Sequence, residues 1–173
     1  MTSQGLLLAR LIFGLVMAAH GSQKLFGWFG GYGIAGTGGF FETIGFRPGK
    51  FFAFAAGLGE FLGGLLIAFG LLGPIGPALM LSVMIVAAVS LHLKGGLFAQ
   101  NNGIELPLLY SAAAVALALT GFGAYSLDAV LGIATIWSPA VIWSALAIGV
   151  AAALVNLGLR RPQVTATAQS SAQ

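Results

Sequence analysis

The sequence predicts an all-α integral membrane protein: a four-helix bundle core with a fifth, C-terminal transmembrane helix. Three observations predict it. The chain of 173 residues is 58% hydrophobic and only 6% charged, whereas ordinary soluble domains carry about 25% charged residues. Its mean hydropathy is +1.00, and a soluble fold of this length has too little core to hide so much apolar surface. The apolar residues fall into long runs near the ~20 residues that a spanning helix needs. The 27 glycines agree, because small residues let membrane helices approach closely.

The first run, about Gly5 to Phe26, carries Arg10, His20 and Lys24. It is long enough to span, and no basic residue precedes Arg10, so it reads as a retained helix rather than a cleavable signal. At about 100° per residue, Arg10, Met17, His20 and Lys24 share an arc of roughly 80°. That stripe is expected to face the interior of the bundle. The next segment, loop 1 (Gly27 to Gly49), is glycine- and aromatic-rich, with Trp28, Phe29 and Tyr32 suited to headgroup depth. Within it, Thr37 is expected to cap a half-helix from Gly38 to Ile44. Arg47-Pro48-Gly49-Lys50 marks a boundary, with proline suited to a first turn.

Helix 2 is expected over Lys50 to Leu72, with Glu60 near its middle among Gly57, Gly59, Gly63 and Gly64. The Gly73-Pro74-Ile75-Gly76-Pro77 turn predicts an antiparallel hairpin with helix 3. Helix 3 spans Ile75 to Leu93, with His92 in its last turn and Lys94-Gly95-Gly96 ending it. A polar loop leads to helix 4, Leu106 to Thr120. Ser126 is expected to cap a short helix, Leu127 to Ile136, with Asp128 in its first turn. Ser138-Pro139 opens helix 5, which runs to about Leu159, and Arg160-Arg161-Pro162 closes it. The domain plan is therefore a membrane domain over residues 5–132, an added span over 137–160, and a disordered polar tail over 161–173.

Composition excludes several function classes. The absence of cysteine removes disulfides, dithiol redox cycling, iron–sulfur ligation and thioether-attached haem. Two histidines at mismatched depths make a poor bis-histidine haem site, and no metal site is expected. Seven Lys and Arg, none clustered beyond Arg160-Arg161, do not suggest nucleic acid. Lys24, Arg47, Lys50, Lys94, Arg160 and Arg161 all fall on one side of a five-helix chain. The positive-inside rule then puts the C-terminus in the cytoplasm and the N-terminus outside. A reporter fused after Gln173 that is active only in the periplasm would overturn this orientation.

Charges at membrane depth are costly and need partners. Helical rise puts His20 roughly 9 Å and Glu60 roughly 15 Å below the loop-1 face, with His92, Lys94 and Glu105 near that face. Arg10 approaches Glu60 from the other half, offset by roughly 10 Å. Glu60 and His20 are the candidate catalytic residues, and Arg10, Lys24 and His92 the candidate cofactor-binding ones. A carboxylate beside a histidine suits a proton relay or a hydrogen-bonding site for a quinone-like head group. Plainer readings stand beside each. Glu60 can be a structural ion-pair partner for Arg10 or Lys24, and Lys24 a snorkelling anchor. His92 can bind the last helix carbonyls, and Glu105 and Asp128 can be helix-start residues.

The motifs resemble the DoxX family of small bacterial membrane proteins. They are Arg10 … Gly14 … His20-Gly21-Ser22-Gln23-Lys24-Leu25-Phe26, then Gly57-Leu58-Gly59-Glu60-Phe61-Leu62-Gly63-Gly64-Leu65-Leu66. His92 before Gly95-Gly96-Leu97-Phe98, Glu105, and Gly121 to Asp128 complete the set. The resemblance covers about residues 5 to 132 and implies a four-helix membrane core, from which helix 5 is a departure. It implies a bacterial inner-membrane, oxidoreductase-type role, with Arg10, His20, Lys24, Glu60 and His92 as the family-like polar residues. Without cysteine, such a role needs a bound quinone or a partner's cofactor. Three readings follow: a redox subunit that binds quinone, a non-catalytic membrane anchor or scaffold for a redox or other enzyme complex, and a small proton-coupled or lipid-binding protein; a protein partner or a homo-oligomer is expected.

Overall fold

Seven α-helices form the protein in its computed structural model, which describes residues 1–161; the expected tail beyond them lies outside the described residues. They are α1 (Thr2–Phe26), α2 (Gly33–Thr43), α3 (Gly49–Phe69), α4 (Ile75–Ala87), α5 (Glu105–Thr120), α6 (Leu127–Val130) and α7 (Pro139–Gly158). The described residues contain no strand. Among the described residues, four helical stretches are long and apolar enough to cross a membrane: Thr2–Phe26, Gly49–Phe69, Ile75–Gly95 and Pro139–Gly158. At 1.5 Å per residue, the 16 residues of α5 rise only about 24 Å, short of the ~30 Å hydrocarbon layer. This is an all-α, multi-pass membrane protein, and α5 is its weakest span.

Helices α1 and α3 pack antiparallel with their backbones in contact, and glycine makes this possible. A Cβ at Gly14 would lie 2.5 Å from the Ala68 amide, and one at Gly64 would lie 2.5 Å from the Ala18 amide. Seven residues along, a Cβ at Gly21 would lie 2.6 Å from the Gly57 carbonyl oxygen. Lipid tails are as apolar as leucine, so such close approach replaces the hydrophobic drive as the cause of helix pairing. The core then fills with Met17, Ile67, Met80, Leu81, Met84, Ala114, Leu117, Ala118, Phe122 and Leu146. Large apolar side chains such as Leu8, Ile12, Leu15, Ile148 and Leu154 stay exposed, as a lipid-facing exterior requires.

Several boundaries differ from expectation. Helix α2 begins at Gly33, not after Thr37, and Thr37 is buried inside it. Its glycines argue against a helix by propensity, but a Cβ at Gly38 would lie 2.8 Å from the Lys50 amide, so packing on α3 overrides propensity. Helix α3 stops at Phe69 because Gly70 turns left-handed at φ 66°, and the Leu71 amide donates to the Leu66 carbonyl at 2.9 Å. Regular α4 ends at Ala87 and continues as a π-helical turn, Ala88–His92, and a 3-10 turn, Leu93–Gly95. The short helix after Ser126 is only Leu127–Val130, because Gly132 sits at φ 71° and breaks it before a 3-10 turn at Ala134–Ile136. Ser126 caps α6 as expected, accepting from the Ala129 amide at 3.2 Å.

Helix α7 runs parallel to α4, with Gly149 against the Ala78 carbonyl. Its far end returns to the α2–α3 corner. There the Arg160 Nε donates to the Ile44 carbonyl at 2.5 Å and the Arg161 amide donates to the Gly45 carbonyl at 2.8 Å.

Asp128 has a larger task than opening a helix. It is 2% exposed and accepts from the Leu72 amide at 2.8 Å, the Gly73 amide at 2.7 Å and the Trp137 Nε1 at 2.8 Å. One carboxylate thus ties the α3–α4 turn to α6 and to the entry of α7. Replacing it with alanine would orphan three donors, each costing about 1 kcal/mol or more. Asp128→Ala is expected to lose about 2–4 kcal/mol of stability in detergent unfolding, and Asp128→Glu to lose less.

Candidate ligand-binding site

Helices α1, α3 and α4 line a partly open cavity of about 390 Å³, with residues of α2, α5 and α7 at its sides. That size is at the lower end of the ~300–1,000 Å³ common for small-molecule sites. The walls are mostly apolar, with Met17, Phe46, Phe52, Ala56, Val83 and Met84 among them. Into this surface project His20, Lys24, Glu60 and His92.

The pair at its centre is Lys24 and Glu60. The Lys24 ammonium donates to the Glu60 carboxylate at 2.5 Å, and Glu60 is 3% exposed. Antiparallel packing of α1 on α3 brings them level, and Gly57 admits the lysine stem, since a Cβ there would lie 3.1 Å from the Lys24 Cβ. A buried carboxylate in an apolar wall is tenable because the ammonium stays beside it. Lysine has three donors and spends one on Glu60, so donors remain for a ligand.

The histidines sit at the rim. His20 is exposed rather than sheltered, a correction to the expectation that its whole stripe faces inward. Its Nδ1 lies 3.2 Å from Gln23 Oε1, while Gln23 Nε2 donates to the Phe29 carbonyl at 3.1 Å. That second bond orients the amide, so its oxygen accepts from Nδ1–H and leaves the His20 Nε2 lone pair free. His92 follows the same logic: its Nδ1 lies 3.0 Å from the Asn102 carbonyl, which can only accept, so Nε2 is again free.

Arg10 stands apart from this group. Its guanidinium is 0% exposed and donates to the Ala68 carbonyl at 3.3 Å and the Tyr125 carbonyl at 2.6 Å. It also lies over the Phe122 ring at 5.8 Å. It joins α1 to the end of α3 and to the segment after α5, at the opposite end from loop 1. It does not line the cavity. The expected column from Arg10 to Glu60 is broken because the terminal guanidinium nitrogens donate to backbone carbonyls rather than to a carboxylate, while Nε has no partner among the described residues. Glu105 also stays outside the cavity, accepting from the Ala99 amide at 2.8 Å within its own loop.

Four polar lining residues are absent from the sequence candidates: Ser82, Ser90, Tyr110 and Asn156. Ser90 and His92 lie in the π-helical turn, a feature frequent at functional sites. Residue spacing in an apolar run carries no sign of it, whereas a hydroxyl two residues before a histidine in such a run is a usable signal.

The family described as DoxX matches residues 5–93, from the start of α1 through His92. The chain belongs to the DoxX family. It is also similar to "Putative oxidoreductase CatD" of Bacillus subtilis (strain 168), at 34% identity over 124 residues, covering 72% of this chain and 84% of that protein. No solved structure matches it. The DoxX match contains all five sequence candidates, and four of them meet at the cavity. The family and the name of this relative support an oxidoreductase-related role in a membrane.

Proposed function

We propose that this DoxX protein is the membrane-embedded component of an oxidoreductase and that its cavity binds a quinone-like molecule. One observation carries the reading: a lysine–carboxylate pair set in the wall of a mostly apolar cavity. An apolar site with a few convergent polar groups suits a lipid-soluble ring that bears hydrogen-bonding oxygens. Lys24 donates to a ring carbonyl, Glu60 accepts from a ring hydroxyl, and His20 at the rim exchanges protons with the outside. Electrons reach or leave the ring through a partner protein, because the chain has no cysteine to carry them. The protein sits in the bacterial inner membrane with its loop-1 face cytoplasmic. Residues 5–132 form the functional domain, and α7 is an added span.

The test is decylubiquinone binding to purified protein in mild detergent. Glu60→Gln is expected to weaken it at least about tenfold, the effect of one lost charge-assisted hydrogen bond, and His20→Ala, at the rim, to weaken it less. Unchanged binding in both variants would remove the reading.

A further inference from the structure

Ser90 differs from three other hydroxyls that lie in apolar helices. Ser22 donates to the Ala18 carbonyl at 2.8 Å, Ser111 to the Pro107 carbonyl at 2.7 Å, and Thr120 to the Ala116 carbonyl at 2.8 Å. Each bonds back four residues, the usual solution for a hydroxyl in an apolar helix. Ser90 Oγ is buried and has no hydrogen-bond partner among the described residues. It lies in the wider π-helical turn, where the four-residue backbond is not made, and it lines the same cavity as Lys24 and Glu60. A buried polar atom without a partner costs about 1–3 kcal/mol, so its retention in this wall points to a ligand that satisfies it.

Its height in the cavity follows from the α3–α4 register. A Cβ on Gly59 would meet Val83 at 3.1 Å, and one on Gly63 would meet Leu79 at 3.1 Å. Glu60 is therefore level with Ser82, and Ser90 lies eight residues further toward loop 1, about 12 Å along the axis. A six-membered ring with oxygens at opposite ends, extended by two hydrogen bonds of about 2.8 Å, spans about that distance. The chemistry at both ends matches too. Lys24 and Glu60 supply a donor and an acceptor at one end, and a serine hydroxyl is itself both donor and acceptor. Ring carbonyls and ring hydroxyls are thus both accommodated without any rearrangement of charge.

We propose that Ser90 is the second polar contact of the cavity and that it selects para-quinone and para-quinol rings, whose far oxygen it meets, over rings with a single oxygen. This rests on the quinone reading above and adds the substrate class and the residue that reads it.

The experiment compares decylubiquinone with 3-decylphenol, a probe with its tail placed as on the quinone but without the second oxygen, on wild type, Ser90→Ala, Ser90→Thr and Glu60→Gln. Ser90→Ala is expected to bind decylubiquinone about tenfold more weakly, with 3-decylphenol binding unchanged and the melting temperature of the ligand-free protein equal to or above that of wild type. Ser90→Thr keeps the hydroxyl and is expected to stay within about threefold of wild type. Equal weakening of both probes in Ser90→Ala would show only altered packing and overturn the proposal. If Ser90→Ala binds decylubiquinone as wild type does while Glu60→Gln loses it, the Ser90 contact falls and the quinone reading stands. Wild type that binds neither probe overturns both.

Discussion

A single methyl group at Gly64 is expected to disrupt the α1–α3 pairing on which the cavity depends. The Cβ of Gly64→Ala would sit 2.5 Å from the Ala18 amide and from the Gly14 carbonyl oxygen, well inside van der Waals contact. Both are backbone atoms, so no side chain can turn away, and the helices must separate. Overpacking of this kind costs about 1–3 kcal/mol, occasionally more, and the separation also loses the dispersion contacts along the crossing. Gly64→Leu is expected to prevent stable folding altogether. Gly39→Ala is the control: that helical glycine has nothing within 4 Å of its Cβ position, so it should be neutral or slightly stabilising. Thermal unfolding in detergent reads the difference. Equal melting temperatures for Gly64→Ala and Gly39→Ala would mean that the two backbones are not in contact.

The second large effect is expected at the ion pair. Lys24→Met leaves the Glu60 carboxylate in an apolar wall with no cation beside it. Breaking a buried pair by removing one partner costs about 3–5 kcal/mol, and the lower end applies because the Lys24 side chain is 25% exposed. The double variant Lys24→Met, Glu60→Met replaces both charges by apolar volume. It is expected to recover most of the stability lost by Lys24→Met, since two apolar partners can match or exceed a buried pair. It is also expected to bind no decylubiquinone. Stability and binding would then move in opposite directions, which separates a pair that serves a ligand from one that only holds helices together. Recovery of both together, or of neither, would contradict the account.

The membrane class and the order of the helices were legible in the sequence because both are set by long apolar runs and their breaks, which need no tertiary information. The Gly73–Pro77 turn and the Ser126 and Ser138 caps are local signals of the same kind. The convergence of His20, Lys24, Glu60 and His92 was legible as well, because rise per residue fixes depth once the hairpins are known. Direction around each helix axis was less so. His20 shares an arc with Met17 and Lys24, yet Met17 is buried and His20 is exposed, because the partner helices cover only one edge of that arc. Arg10 shares it too, but its partners are the Ala68 and Tyr125 carbonyls, and a one-letter sequence shows no backbone acceptors. Asp128 and Ser90 depend on structure that hydropathy cannot encode: a turn that aims two amides at one carboxylate, and a π-helical turn within an apolar run. Helix α2 was underestimated because its glycines lower helix propensity while permitting the packing that holds it on α3.

The cavity between α1, α3 and α4 as the place where a quinone ring rests is the claim on which the rest depends. Photolabelling of the purified protein with an azido-quinone, followed by peptide mass spectrometry, tests it most directly. The label is expected on α3 and α4 peptides that carry Ala56, Met84 and Leu91, and excess decylubiquinone is expected to displace it. Label confined to lipid-facing Ile148 and Leu154 of α7, or label that excess decylubiquinone fails to displace, would contradict it.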